Sequence, residues 1–92
     1  MTRDHLQALL NAAEASEGKD GWMELGAGRS LNLYAASNGV GLTVSRVSSL
    51  RVEPQWVTAK TARGELYVVA LEDLFAGAVE APAQGARKTG FV

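Results

Sequence analysis

Hydrophobic and polar positions alternate with two different periods along this chain. Leu6, Leu9, Leu10 and Ala13 stand at i, i+3, i+4 and i+7, which draws one apolar stripe on a helix. The spacing predicts a helix over Arg3–Ser16. Thr2 is its candidate N-cap, and Asp4 suits the partly positive first turn. Gly18 is placed to stop it. From Trp22 onward the period is two. Trp22–Leu25 is a short strand, and Gly26–Ser30 is a glycine-rich connection without the spacing of a phosphate-binding loop.

Leu31, Leu33 and Ala35 alternate with Asn32, Tyr34 and Ala36. Ser37-Asn38-Gly39 then gives the strongest hairpin signal in the chain, since Asn-Gly tolerates the positive φ angles of a tight turn. Val40–Val47 returns with Val40, Leu42 and Val44 on one face, and Leu50–Glu53 extends the pattern up to Pro54. Proline has no N–H for a ladder, so Pro54 marks a strand end, bulge or edge. In Gln55–Thr61, Val57 and Ala59 oppose Trp56, Thr58 and Lys60, and Ala62-Arg63-Gly64 forms a second hairpin loop.

Glu65–Leu71 is the most apolar strand. Leu66, Val68 and Ala70 take one face, and Tyr67, Val69 and Leu71 take the other. A strand apolar on both faces is buried on both or uses one against a partner. Leu66, Val69, Ala70, Asp73 and Leu74 also fit helical spacing, so a helix over residues 65–81 competes. β-Branched Val68 and Val69, Tyr67 and the preceding glycine favour strand, then a turn at Glu72-Asp73-Leu74 and a last strand over Phe75–Glu80. Residues 81–92, with Pro82, Gly85, Gly90, Arg87 and Lys88, have the composition of a flexible tail ending in apolar Phe91-Val92.

Composition narrows the chemistry. The 92 residues, 47% hydrophobic and 21% charged with a net charge of −1, fit one small globular domain. Cysteine is absent, which excludes disulfides, thiol catalysis and cysteine zinc sites. Leu66–Leu71 is the longest apolar run and is too short to span a membrane, and no apolar segment follows Met1. No membrane association and a cytoplasmic location are expected. The single histidine, His5, has no partner at metal-ligand or triad spacing, and Glu72-Asp73 lacks the spacing of a calcium loop. Glu24, Glu53, Glu65 and Glu80 are scattered among basic residues and suit solvated faces. Neither a catalytic residue, a metal nor a cofactor is expected.

Nucleic-acid binding needs concentrated positive charge with aromatic platforms. Arg46, Arg51, Lys60 and Arg63, with Trp56, form the candidate set. Residues 21–80 carry as many acids as bases and one more, so ordinary surface charge competes with this reading.

The order of elements resembles the Sm-like small β-barrels of the bacterial Hfq type, and SH3-like barrels more broadly. The likeness covers Leu31–Glu80 and the helix before it. Asn38-Gly39 matches the turn between the first two strands, and Leu66–Leu71 followed by Glu72–Val79 matches the last strand pair. The resemblance implies ring assembly through strand edges. The family's tyrosine-lysine-histidine RNA contact would fall on Tyr67-Val68-Val69, where only the tyrosine stands, so RNA binding is not carried over.

These observations predict a mainly β domain over residues 1–80, with one N-terminal α-helix on a small, strongly bent antiparallel sheet or barrel of five or six strands. They predict a non-catalytic protein-interaction or self-assembly module, either a homo-oligomer or bound to a protein partner. Tyr67, Val69, Leu71 and Phe75 are the expected interface. The alternative is a nucleic-acid or nucleotide-binding barrel using Arg46, Arg51, Trp56, Lys60 and Arg63.

Overall fold

A computed structural model describes residues 1–81. The expected tail at 81–92 lies, from Pro82 on, outside the described residues. The chain forms α1 (Arg3–Ala12), β1 (Ser16–Glu17), β2 (Trp22–Glu24), β3 (Ser30–Ser37), β4 (Val40–Val52), β5 (Trp56–Thr61), β6 (Leu66–Ala70) and β7 (Leu74–Glu80). One turn of 3-10 helix at Leu71–Asp73 joins β6 to β7. The stretch at residues 65–81 is therefore strand, turn and strand, and the competing helix does not form.

One antiparallel sheet of seven strands runs β1-β2-β4-β3-β7, with β5 on β4 and β6 on β5. Strongly curled, it makes a half-barrel. The curl originates in β4. Leu31 pairs with Val47 while Leu33 pairs with Val44, so β4 carries one residue more than β3 across that step. Arg46 absorbs it in the left-handed region, at φ 59°. A second shift against β5 falls between Val47 and Ser49. Each bulge bends the strand and increases its twist. They also restore phase, so that Val44, Val47 and Leu50 all face the core although they are three residues apart.

The half-barrel encloses Leu31, Leu33, Val44, Val47, Leu50, Val57, Ala59, Val69 and Leu74, and Leu6 and Leu10 of α1 complete the cluster. Fully burying a side chain of this size contributes about 1.5–3 kcal/mol. Thr2 caps α1 as expected, accepting a 3.1 Å hydrogen bond from the His5 N–H. Asn38 and Gly39 both have positive φ, 53° and 81°, and set Ser37 opposite Val40.

The end of α1 departs from expectation. The helix stops at Ala12, not Ser16, and Gly18 is not its terminator. Glu14 takes the left-handed position at φ 54°. Its N–H donates to the Asn11 carbonyl and the Ala15 N–H to the Leu10 carbonyl, which is the Schellman arrangement. Chain that would have continued the helix instead forms β1 against β2. Gly26 explains the early stop. Its N–H donates to the Ala13 carbonyl at 3.0 Å, and a Cβ there would lie 3.0 Å from Glu14 Cβ. The β2 segment thus packs directly on the turn that ends the helix.

Candidate functional site

Strand β6 carries exposed apolar side chains at an edge of the sheet. Among the described residues it pairs with β5 on one side only, in the register Trp56↔Ala70, Thr58↔Val68 and Lys60↔Leu66. The two faces of β6 have different environments. Val69 and Leu71 are 6% and 8% exposed and belong to the core, and Tyr67 packs against it. On the outer face Leu66 and Val68 are 59% and 66% exposed.

Three of the four expected interface residues are thereby placed. Val69 and Leu71 point inward and offer little surface, and Tyr67 packs against the core while half-buried, whereas Phe75 on β7 is largely exposed, its ring 6.5 Å from that of Tyr34. The outward apolar set of β6 is Leu66, Val68 and Ala70. The signal for this lay on the neighbouring strand. Val57 and Ala59 are the apolar face of β5, and they oppose Val69 and Tyr67. Directly opposed residues share a face, so the inner face of β5 fixes that of β6.

Trp56 extends the outer apolar surface. It shares a groove with Pro54, Val68, Ala70 and Leu71. Val68 and Ala70 also line a second cleft with Val40 and Leu42, which sit at the tip of the β3–β4 hairpin. Val40, Leu42, Trp56 and Val68 therefore form one discontinuous apolar region around the free edge of β6.

Charge divides along β6. Glu72 and Asp73 follow its end, while Lys60 and Arg63 flank its beginning, together with Glu65. The five expected nucleic-acid residues do not form one patch. Arg51 opposes Thr58, so Arg51, Trp56 and Lys60 share the outer face of β4 and β5. Arg51 is engaged by Glu53, Nε to Oε2 at 2.7 Å. Arg46 and Arg63 lie apart from these, in a polar concavity with Thr43, Ser45 and Glu65.

His5 borders a shallow apolar concavity with Leu9, Phe75 and Gly77. Among the described residues no group of three or more histidine or acidic side chains could hold a metal ion. Among them, too, no helix is long and apolar enough to cross a membrane. Comparison with protein families, with curated proteins and with solved structures finds no match in any of the three.

Proposed function

We propose that this domain is a non-catalytic protein-interaction or self-assembly module whose contact surface is the outer face and free edge of β6. The observation that carries the reading is the exposure of Leu66 and Val68 on a strand whose second edge is unpaired among the described residues. Exposed apolar edge strands invite pairing with another chain, and proteins that stay monomeric usually blunt them with charge or proline. β6 has neither within Leu66–Ala70. Trp56 beside it supplies a large anchor of the kind enriched at interfaces.

Molar mass measured by light scattering or sedimentation over a wide concentration range tests this. The expected outcome is a mass above that of one chain, or stable complexes with a partner protein, either lost in Val68→Asp. Association unaffected by changes at Leu66 and Val68 contradicts the assignment of this surface.

A second reading, nucleic-acid binding, is favoured by one observation: Arg51, Trp56 and Lys60 share a face. Its test is affinity for single-stranded RNA or DNA that falls steeply with added salt. Absence of binding at low salt removes it.

A further inference from the structure

We infer that the occupant of the β6 edge is the β6 of a second copy of this chain, paired antiparallel about a two-fold axis at Val68. This rests on the interaction-module reading above and names its partner and register. The first support is the backbone. Thr61 N–H donates to the Glu65 carbonyl, and Leu71 N–H donates to the Gln55 carbonyl. Antiparallel ladders alternate, so residues 65, 67, 69 and 71 turn their main-chain groups toward β5. Leu66, Val68 and Ala70 therefore direct theirs outward from the free edge. A two-fold axis at Val68 sets Val68 opposite Val68 and Leu66 opposite Ala70. Every outward N–H and C=O of the strand then finds a partner. A shift by one residue in either chain opposes outward groups to inward ones and satisfies none of them.

Side chains agree with that register. Leu66 of one copy meets Ala70 of the other, a large residue against a small one. Ala70 already lies beside Trp56 across the β5–β6 ladder. Leu66 is thus brought to within one strand of the Trp56 of the second copy, and the two Val68 side chains meet at the centre.

Charge agrees as well. The hairpin loop with Arg63 precedes the strand and the 3-10 turn with Glu72 and Asp73 follows it, so antiparallel pairing sets the loop of one copy beside the turn of the other. The end of β6 that carries Lys60 and Arg63 meets the end that carries Glu72 and Asp73, twice per dimer. Glu65 lies at the basic end and partly offsets it, leaving that end net positive. Pairing β6 with the β7 edge of another copy has no such match. β7 is bounded by Asp73 and Glu80, so the acidic end of β6 meets an acid in either direction. Like charges brought together disfavour that head-to-tail arrangement.

The test uses the absence of cysteine from the chain. In a hydrogen-bonded antiparallel pair the Cα atoms are about 5.5 Å apart, within disulfide range. Val68→Cys is expected to give a covalent dimer under mild oxidation, and Phe75→Cys only a collisional background. Arg63→Glu is expected to weaken the dimer about tenfold, with recovery when Glu72→Arg and Asp73→Arg are added. Val68→Pro removes an N–H that faces away from β5, so it is expected to fold, by circular dichroism, yet remain monomeric. Should Val68→Pro fail to fold, Val68→Lys serves the same purpose.

A dimer that persists through these changes, without the Val68→Cys cross-link, overturns this register but leaves self-assembly standing. A wild-type chain that stays monomeric at millimolar concentration overturns the inference. A monomer that binds a different protein through Leu66 and Val68 overturns it too, while upholding the interaction surface.

Discussion

The side chain of Asn32 on β3 accepts a 3.0 Å hydrogen bond from the backbone N–H of Arg46. Arg46 is the left-handed residue of the β4 bulge, and the bulge takes its N–H out of the ladder. Asn32 supplies the acceptor that the neighbouring strand no longer offers. The Arg46 carbonyl is used as well, accepting from the Ala62 N–H at 2.9 Å. Asn32→Ala is therefore expected to lower stability by about 0.5–1.5 kcal/mol. Asn32→Asp keeps the acceptor and is expected to lie closer to wild type. Urea unfolding midpoints at unchanged slope check both. Arg46→Gly, which removes the Cβ from a left-handed position, is expected to raise stability by up to about 1 kcal/mol.

Leu9 lies directly over Gly77, where an added Cβ would stand 2.6 Å from Leu9 Cδ1. Helix and sheet approach closely there because β7 has no side chain at that point. Gly77→Val is expected to cost about 1–3 kcal/mol through overpacking. In a Leu9→Ala background the same change is expected to cost much less. A double-mutant cycle by thermal unfolding reads this coupling directly. Additive costs would show that the contact does not set the helix position.

The turn ending α1 makes a contrasting pair. Glu14→Gly relieves a left-handed side chain and gives up an exposed 3.1 Å ion pair with Arg29. Exposed pairs of this kind contribute little, so a net gain of up to about 1 kcal/mol is expected. Gly26→Ala forces its Cβ onto the same turn and is expected to destabilise by about 1–3 kcal/mol. Calorimetric midpoints should move in opposite directions for the two variants.

Leu33 is fully buried on β3, paired with Val44 of β4 on one side and Gly77 of β7 on the other. Leu33→Ala is expected to cost about 2–5 kcal/mol, a large share of the stability of a domain this small. Val68→Ala, on the exposed face of β6, is expected to change monomer stability by less than about 1 kcal/mol. Unfolding at low protein concentration separates the two.

Much of the sheet was legible because its strands alternate cleanly and its turns carry specific residues. Asn38-Gly39 and Gly64 place two hairpins, and Val57 and Ala59 mark the inner face of β5. The bulges were legible only in part. The step from Val44 to Val47 breaks the period of two, but nothing in the local pattern places Arg46 at positive φ; Asn32, fourteen residues away, does that. The end of α1 was hidden for the same reason. Glu14 replaces the glycine expected at such a stop, and the cause, Gly26, comes from another element. At the candidate site, the two-faced character of β6 was visible, but which face is open depends on the neighbouring strand. Charge placement along β6 gains meaning only once its edge is known to be unpaired.

Pairing of β3 with β7 joins Leu31 to Val79 and Ser30 to Glu80, so the sheet finishes with strands far apart in the chain. A ribosome emits β3 and its hairpin partner β4 well before β7. During that interval one edge of β3 stays open and the core lacks Leu74. Such non-local closure slows folding, and an open apolar edge exposes the nascent chain to misassembly. The Asn-Gly turn makes the β3–β4 pairing a local contact, whereas the β3–β7 pairing joins residues about forty to fifty positions apart. Synthesis speed through residues 40–80 should therefore influence how much of the product is correctly assembled.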